Sequence, residues 1–447
     1  MDTSLSRDPK RSMTDEERVR DFQRKIYLKA KQERKFRFYS LYDKVHLLHF
    51  LAEAYRRVKA NKGSPGVDGV TFTRVEETGR GLLGFLLDLQ VELQEETYRP
   101  MPVKRVMIPK ANGKMRPLGI PTIRDRVVQM SCKMVIEPIF EADFEDESYG
   151  FRPKRDAKQA MARIQSNLKA GNTAVYDADL SAYFDTIPHE KLLKLVALRI
   201  SDGRILHLIK LWLKAPVMED GRMSGGKGNK VGTPQGGVIS PLLANIYLHL
   251  LDKLVKKGRF GGGITIVRYA DDFVLMGKQL AEESLQGVKA LFDRMGLKVN
   301  EEKTRLIDAR TEPFDFLGHT VRYCRSRFAN SGNYWRITPS KKSGLKVVEK
   351  ARDYLGKNGH RGSKVVVREL NAMLRGWLAY FTNPGVTDST HARIGLRMFL
   401  RDRLFRFKRR KSQRHRHAHC RGTFKRWVEK YGLIDPETYG VPGLAKA

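Results

Sequence analysis

The alternation of apolar and polar residues predicts a chain that begins with helices and continues with mixed helices and strands. Apolar residues recur at helical spacing over residues 16–39 and 44–59, and the Gly- and Pro-containing stretch 63–69 predicts a loop after them. The first of these helices is rich in Lys and Arg. It is therefore either a solvated arm or a basic helix that clamps nucleic acid.

Between about residues 100 and 317, strand-like and helix-like segments alternate. The predicted strands are 103–109, 115–120, 173–180, 264–268 and 273–276, with Asn112-Gly113 as the turn of a hairpin between the first two. The predicted helices are 124–140, 188–200, 242–254 after a Ser240 cap, and 284–295 before Gly296. This mixture indicates an α+β fold with helices packed on a mostly antiparallel sheet.

After about residue 337 the pattern becomes helical and the charge rises. Two apolar helix faces are predicted, and Asn383-Pro384-Gly385 ends the first of them. The faces consist of Val366, Leu370, Met373, Leu374, Trp377 and Phe381, and of Leu396, Phe399, Leu400, Leu404 and Phe407. Residues 341–447 carry 26 Lys and Arg against 8 Asp and Glu, a net charge of +18. We expect a separate, basic, helical domain.

The charge of the whole chain points to a polyanionic partner. Its 447 residues carry a formal charge of +35 at an ordinary hydrophobic content of 41%. Nucleic acid is the leading partner, because Lys and Arg that neutralise phosphates release counterions. An anionic membrane is the rival, but no apolar run reaches the ~18 residues that a bilayer span needs. We predict no membrane association.

Cysteine use and the N-terminus point to the cytoplasm. The three cysteines, Cys132, Cys324 and Cys420, lie far apart in the sequence and do not form a disulfide or zinc-ribbon pattern. The first residues lack the basic and then apolar layout of a signal peptide. We therefore expect a bacterial-type, cytoplasmic location.

The first candidate chemistry is a pair of adjacent carboxylates in Tyr269-Ala270-Asp271-Asp272, between two strand-like runs. Like charges this close repel and raise each other's pKa. A hard divalent cation with oxygen ligands is the simplest way to offset that repulsion. The sequence thus predicts a metal site at the tip of a hairpin.

A second acidic position lies at the end of the strand 173–180. Asp179 follows an apolar run, and three carboxylates converge if this strand neighbours the Asp271-Asp272 hairpin. Two Mg²⁺ ions about 3.5–4 Å apart could then activate an attacking 3′ oxygen and stabilise a leaving pyrophosphate. Asp177 and Asp185 are weaker candidates, since an outer strand position and a helix cap explain them.

Ten segments, taken in order, resemble the reverse-transcriptase blocks and thumb of bacterial group II intron-encoded proteins, of the type that lacks a C-terminal endonuclease. The resemblance covers roughly residues 41–412. It rests on KGSPGVDG (62–69), IPK (108–110), KMRPLGIP (114–121), SYGFRP (148–153), DLSAYF (179–184), GTPQGGVISP (232–241), YADD (269–272), GLKVNEEKT (296–304), FDFLG (314–318) and the helix 370–381.

This resemblance implies a right-hand polymerase with an antiparallel palm sheet, followed by a helical thumb. It implies an N-terminal extension (1–40), fingers and palm (41–335), a thumb or maturase domain (336–412) and a basic tail (413–447). The implied activity is RNA-directed DNA polymerisation by a protein that also binds intron RNA, assists its splicing and copies it into DNA during intron mobility. Template RNA, a DNA primer or target and dNTPs are the implied partners.

The resemblance also implies roles for single residues. Asp179, Asp271 and Asp272, with the Leu180 carbonyl, would hold two Mg²⁺ ions. The expected nucleotide contacts are Lys110 and Arg116 on the triphosphate, Phe184 under the deoxyribose, Gln235 at the incoming nucleotide, and Lys303 as a proton donor. The alternatives are solvated charges for Lys110, Arg116 and Lys303. For Phe184 the alternative is a core aromatic residue, and for Gln235 it is a plain helix-entry loop.

Further roles concern the primer and the RNA. Phe316, Leu317 and Gly318 resemble a turn that supports the primer end, although packing explains them almost as well. The expected RNA-binding residues are Arg397, Arg401, Arg406, Lys408, Arg409 and Arg410. Tyr380, Phe381, Phe405 and Phe407 could stack on bases, but helix-core packing is the expected role of at least half of them.

Three further alternatives concern the C-terminal tail and the function of the protein as a whole. His415, His417, His419 and Cys420 could bind zinc, although a phosphate-binding tail fits the surrounding arginines better, and we predict no endonuclease. A maturase with a vestigial polymerase is a second function, and the intact carboxylates argue against it. A domesticated reverse transcriptase in phage defence or a CRISPR locus is a third.

Overall fold

The computed structural model describes residues 13–109, 113, 115–226, 228–233, 236–326, 332–411 and 420–440. The chain divides into two compact units. The first consists of Met1–Arg155, Ala178–Val274 and Ala281–Thr304, and the second of Asp156–Asp177, Leu275–Leu280 and Arg305–Ala447. The three candidate aspartates all belong to the first unit, and the basic helices near the C-terminus belong to the second.

Helices and strands alternate along the chain, which confirms the α+β class. The helices are α1 (Asp15–Gln32), α2 (Tyr42–Val45), α3 (Leu48–Ala60), α4 (Phe72–Glu77), α5 (Gly81–Gln94), α6 (Ile123–Glu141), α7 (Ala157–Lys169), α8 (Tyr183–Thr186), α9 (His189–Ala197), α10 (Gly203–Leu213), α11 (Ser240–Lys256), α12 (Glu282–Met295), α13 (Lys341–Lys357), α14 (Ser363–Phe381), α15 (Thr390–Lys411) and α16 (Cys420–Tyr431). The strands are β1 (Val103–Pro109), β2 (Met115–Ile120), β3 (Ala174–Ala178), β4 (Pro216–Glu219), β5 (Arg222–Gly225), β6 (Thr265–Tyr269), β7 (Asp272–Gly277), β8 (Arg305–Asp308), β9 (Phe314–Phe316), β10 (His319–Arg325) and β11 (Asn333–Pro339).

The first unit contains the predicted β1–β2 hairpin. Its antiparallel register runs from Lys104↔Ile120 to Pro109↔Met115, which confirms both predicted strands. A further hairpin, β4–β5, extends this sheet to the order β2-β1-β4-β5, with β4 parallel to β1. We did not predict β4 and β5, because four-residue strands leave little periodicity in a sequence.

The sheet that leads to the candidate aspartates has the strand order β6-β7-β3-β8. Strands β3 and β8 pair antiparallel from Ala174↔Asp308 to Asp177↔Arg305. In the first unit, the start of β7 packs against α12, with the Phe273 and Phe292 rings 5.8 Å apart. Residues 273–277 of β7 are all buried, so both faces of this strand are covered, which explains its nearly continuous apolar sequence.

Two predicted N-terminal helices end or break earlier than their patterns suggest. The first was predicted to reach residue 39 but ends at Gln32, and Phe38 instead forms a parallel bridge with Ile200. The second breaks between Val45 and Leu48. Distant partners bind the backbone at this break, because Ser131 Oγ donates to the Val45 carbonyl at 2.6 Å and Gln90 Nε2 donates to the His46 carbonyl at 2.9 Å.

The Ser240 cap prediction is wrong. Helix α11 begins at Ser240 itself, Ile239 occupies the N-cap position, and no side chain caps the helix. Pro241 lies in the first turn, where a missing amide hydrogen costs nothing because that amide has no partner within the helix.

In the second unit, β9, β10 and β11 form an antiparallel sheet, and helices α13 to α16 bury a common apolar core. The predicted apolar faces of α14 and α15 supply much of this core, including Leu370, Leu374, Leu400 and Leu404, each 0% exposed. Among the helices described in either unit, none is long and apolar enough to cross a membrane.

Candidate active site

The Asp271-Asp272 pair lies at a two-residue turn between β6 and β7. Ala270 and Asp271 form the turn, and Asp272 begins β7. Ala270 has a left-handed backbone conformation, with φ of 61°. This conformation costs a residue with a side chain roughly 1–2 kcal/mol, so neighbouring groups must hold the turn in place.

Asp179 lies just beyond β3 and accepts hydrogen bonds from residues of the segment 298–304. The Asn300 amide donates to the Asp179 carbonyl at 2.8 Å, and the Asn300 side chain donates to Asp179 Oδ2 at 3.2 Å. Lys303 Nζ lies 2.8 Å from the same carboxylate oxygen. The sequence GLKVNEEKT therefore places a cation and an amide directly on Asp179.

The Leu180 carbonyl faces away from the segment 298–304. Leu180 and Val299 form an antiparallel bridge, and the flanking bonds join the Asp179 carbonyl to Asn300 and the Ser181 amide to the Lys298 carbonyl. Amide and carbonyl directions alternate along an antiparallel strand, so the polar groups of Leu180 point to the opposite side. That orientation is compatible with the predicted metal-ligand role of the Leu180 carbonyl.

The three aspartates and Lys303 influence one another electrostatically. Burial raises the pKa of Asp271, and the charge of Asp179 raises it further, while Arg116 and Arg268 act in the opposite direction. The hydrogen bond to Asp179 raises the pKa of Lys303, and the charges of Asp179 and Asp272 reinforce this rise. Lys303 therefore supplies positive charge to a site where negative charges repel.

The residues present fit a divalent cation in their chemistry, because three carboxylates and a carbonyl are hard oxygen ligands. Their repulsion, seen at Asp271, is what a bound cation would relieve. Within the described segments, however, no three His, Cys, Asp or Glu side chains are gathered as one metal-binding group. The Lys303 ammonium is instead the cation in contact with Asp179.

Phe184 follows Asp179 by five residues and lies in α8. Its side chain is 9% exposed, and its carbonyl accepts from the Thr233 amide at 2.7 Å. The loop before α11 is thereby tied to α8. Gly236 in this loop has φ of 115°, and a Cβ there would lie 2.2 Å from the Gly119 carbonyl oxygen of β2. Only glycine permits this close backbone approach.

Other predicted nucleotide contacts are only partly described. Arg116 is an exposed residue of β2, and its charge acts on Asp271. Lys110 and Gln235 lie outside the described residues, so their predicted roles stay predictions.

Comparison with known proteins identifies two domains of the chain. Residues 108–321, which include all three aspartates, match the family model "Reverse transcriptase (RNA-dependent DNA polymerase)". Residues 345–427 match "Group II intron, maturase-specific domain". Protein YkfC of Escherichia coli is 36% identical over 69% of this chain and 90% of its own length.

The chain belongs to the family of group II intron-encoded reverse transcriptases and maturases. The group II intron-encoded protein LtrA of Lactococcus lactis is 31% identical over 61% of this chain. The alignment spans only about half of LtrA, 55% of its length. A solved structure described as a partial Cas6-RT-Cas1–Cas2 complex is 22% identical over 57% of this chain and 42% of its own chain, with a TM-score of 0.36.

Family membership establishes the class of activity. The reverse transcriptase domain is that of an RNA-directed DNA polymerase, which depends on divalent metal ions, and the maturase domain is that of proteins that assist intron splicing. Together the two domains imply RNA and other nucleic acid substrates.

In this reverse transcriptase, residues 316–318 form a tight turn between β9 and β10. Leu317 and Gly318 both have positive φ, 47° and 72°. The Leu317 carbonyl accepts from Tyr380 Oη at 3.0 Å, and the Gly318 carbonyl accepts from Ser343 Oγ at 2.9 Å. Packing within the second unit thus accounts for much of the turn, and primer contact stays a prediction.

The basic residues of α15 differ in their surroundings. Arg397 is held by ion pairs with Asp435, at 3.1 Å, and with Glu437. Arg406 pairs with Asp402, and Arg409 lies 5.6 Å from the centre of the Phe405 ring. Arg401 is partly buried, Lys408 is partly buried, and Arg410 is exposed. Arg397 is therefore the member of this group most clearly committed to internal structure.

The aromatic residues proposed for base stacking also divide. Phe381 and Phe407 are 5% and 4% exposed and belong to the interior, whereas Tyr380 is 37% exposed. This confirms that packing explains at least half of them. The possible zinc ligands His415, His417 and His419 lie outside the described residues, as does the side chain of Cys420.

Sequence reasoning missed several residues that shape the site. Asn300 lies within the segment GLKVNEEKT (296–304), but we predicted no role for it. Arg268, Asp252 and Asn245 form a buried polar network beside the Asp271 turn. One signal was available: an arginine inside an otherwise apolar strand requires a buried partner.

Proposed function

We propose that this chain copies RNA into DNA by two-metal nucleotidyl transfer, with Asp179, Asp271, Asp272 and the Leu180 carbonyl as ligands of Mg²⁺. When bound, Mg²⁺ would favour the deprotonated 3′ oxygen of the primer and neutralise the departing pyrophosphate. The observation that carries the proposal is the match of residues 108–321, which contain all three aspartates, to the reverse transcriptase family, with Asp271 and Asp272 at the turn between β6 and β7.

The other residues act by binding and positioning. Arg116 places positive charge where a triphosphate would approach Asp271, and guanidinium groups bind phosphate oxygens bidentately. Phe184, five residues after Asp179, would pack its aromatic ring under a deoxyribose and exclude a 2′-hydroxyl. Lys303 holds a proton 2.8 Å from Asp179 and would deliver it to the pyrophosphate leaving group.

The natural template in this proposal is group II intron RNA, which the maturase domain binds, helps to splice and presents for copying during intron mobility. The high positive charge of residues 341–447 supports RNA binding, since phosphate neutralisation provides most of the affinity. Affinity for this RNA should therefore fall steeply as salt rises.

Primer extension on an RNA template with Mg²⁺ tests the catalytic assignment. Asp271→Asn and Asp272→Asn, separately and together, should lower kcat by roughly 10³-fold or more, since a lost metal ligand removes several kcal/mol of transition-state stabilisation. Asp293→Asn, an exposed acid in α12, is the matched control and should leave kcat unchanged. Activity that survives loss of both aspartates would refute the assignment.

A further inference from the structure

Arg268 is the largest fully buried side chain described, and it lies one residue before the Tyr269-Ala270-Asp271-Asp272 turn. Its charge is compensated by Asp252 of α11, which is also 0% exposed. Arg268 Nε and Nη2 donate to the two carboxylate oxygens at 2.8 and 2.6 Å. This is a forked pair, which fixes the plane of the guanidinium.

The remaining guanidinium nitrogen reaches the turn itself. Arg268 Nη1 donates to the Ala270 carbonyl and to Asn245 Oδ1, both at 2.9 Å. Ala270 is the residue with the left-handed backbone at the tip of the turn. The buried ion pair is therefore bonded directly to the strained peptide that precedes Asp271.

A second set of contacts reaches the same peptide. Asn245 Nδ2 donates to the Gly150 carbonyl at 2.8 Å. A Cβ on Gly150 would lie 2.3 Å from the Ala270 amide nitrogen, so these two backbones are in close contact. Asn245 thus joins Arg268 to Gly150, and both of these residues contact the Ala270 backbone.

The backbone of Arg268 is fixed as well. Its amide donates to the Glu147 carbonyl at 2.9 Å, and its carbonyl accepts from the Tyr149 amide at 2.8 Å. Arg268 therefore cannot shift along β6 without breaking these bonds. Hydrogen bonds fix both the main chain and the side chain of Arg268, and one of them reaches the Ala270 carbonyl.

We propose that Arg268, oriented by Asp252 and Asn245, is a positioning residue that sets the place and angle of the Asp271-Asp272 turn for catalysis. This inference rests on the proposed function, because it gives Asp271 and Asp272 a catalytic role. Arg268 itself is buried and touches neither substrate nor metal. Misplacement of catalytic groups by about 1 Å can lower a rate by ~10²-fold, so a small shift of this turn would suffice.

The geometry requires arginine rather than lysine. The guanidinium serves Asp252, Asn245 and Ala270 at the same time through a planar fork, whereas an ammonium on a flexible stem is a single point charge. Lys at position 268 would keep the charge that Asp252 needs and lose the bond to Ala270 or to Asn245. Arg268→Lys therefore separates positioning from charge compensation.

The test compares Arg268→Lys with Arg199→Lys in the full-length chain. Arg199 is a matched control, because it is also buried and pairs with Asp143, but its guanidinium donates to the Ala30 carbonyl in α1 rather than to the Asp271 turn. Each variant is measured for Tm, for kcat and dNTP KM in primer extension, and for binding of Mn²⁺ alone by electron paramagnetic resonance. Asn245→Ala, which leaves the Arg268–Asp252 pair intact, is the second test variant.

Arg268→Lys should lower kcat by ~10²-fold and weaken Mn²⁺ binding several-fold, with dNTP KM within about threefold of the wild type. Arg199→Lys should lower Tm and change neither kcat nor Mn²⁺ binding. Asn245→Ala should lower kcat by about tenfold, and it decides the matter if Arg268→Lys does not fold.

Wild-type kcat and Mn²⁺ binding in either Arg268→Lys or Asn245→Ala would overturn the inference. The inference would also fail if Arg199→Lys lost as much kcat and Mn²⁺ binding as Arg268→Lys at the same Tm. Failure of the proposed function looks different, since Asp271→Asn would then retain full primer extension whatever the Arg268 variants do.

Discussion

The Lys303 ammonium lies 2.8 Å from Oδ2 of Asp179, a carboxylate that we propose as a ligand of a divalent cation. Lys303 and a bound cation therefore compete for the same oxygen. The pair is partly exposed, with the Lys303 side chain at 64%, so its strength is limited by solvent screening. The ion pair would neutralise Asp179 before the metal arrives and release Lys303 as a proton donor afterwards.

We predict that Lys303→Met tightens the binding of Mn²⁺ by about fivefold and lowers kcat by ~10²-fold. The first change follows from removal of a competing cation worth about 1 kcal/mol, and the second from loss of a general acid. Titration calorimetry and primer extension measure the two effects. Lys298→Met, an exposed lysine in the same segment, should change neither. Weaker Mn²⁺ binding in Lys303→Met would contradict the competition.

A second prediction concerns the stability of the metal-free protein. Burial and Asp179 raise the pKa of Asp271 above its ordinary value of 3.8, so the folded state binds a proton more readily than the unfolded state. The contribution of Asp271 to the free energy of unfolding is then most favourable at low pH and falls as pH rises from 3.8 through the raised pKa. Above that window Asp271→Asn should be more stable than the wild type, by about 2–4 °C in Tm.

Calorimetry of metal-free protein at a series of pH values measures this difference. Added Mg²⁺ should raise the Tm of the wild type and reduce the advantage of Asp271→Asn, because a bound cation relieves the repulsion. Asp293→Asn should show no such pH-dependent difference. A wild type that is more stable than Asp271→Asn at neutral pH without metal would contradict the assigned electrostatics.

The carboxylates were predictable from the sequence because each lies at the end of a strand with a strong local pattern. Asp179 follows β3, and Asp271 and Asp272 lie between β6 and β7, so short-range alternation located all three. The order of the surrounding blocks then identified the polymerase class. The same local patterns predicted α14 and α15, whose apolar faces form a common core.

Features that depend on distant partners were not predictable in this way. At the break between α2 and α3, the carbonyls of Val45 and His46 accept from Ser131 and Gln90, which lie 86 and 44 residues away in the sequence. The contacts of Arg268 with Asp252 and Asn245 join a strand to a helix. Periodicity reports which face of an element is buried but not which polar group meets it there.

The Arg397 ion pairs with Asp435 and Glu437 show the same limit, because a basic helix pattern does not distinguish structural from RNA-binding arginines.

A third prediction separates these two kinds of arginine in α15. Arg397→Ala should lower the Tm of the protein and leave RNA affinity within about twofold, since Arg397 is committed to Asp435 and Glu437. Arg409→Ala with Arg410→Ala should leave Tm unchanged and weaken RNA binding. The slope of log affinity against log salt should fall by about two, one for each lost phosphate contact.

Filter binding of intron RNA at several salt concentrations, with Tm measured in parallel, distinguishes these outcomes. An Arg397→Ala variant with wild-type Tm and a reduced salt slope would reverse the assignment. A salt response that is flat for the wild type would contradict electrostatic RNA binding by this chain altogether.

A fourth prediction concerns the choice between deoxyribose and ribose. The Phe184 backbone is fixed by the Thr233 amide, and the neighbouring Tyr183 hydroxyl donates to the Ala244 carbonyl at 2.6 Å, so Phe184→Ala should remove the ring without moving the chain. We expect preference for dNTPs over rNTPs to fall by about 10²-fold, near the limit for an apolar contact that rejects one hydroxyl. Single-nucleotide kcat/KM for matched dNTP and rNTP measures it. Phe184→Leu should be intermediate, and equal loss of both rates would instead make Phe184 a packing residue.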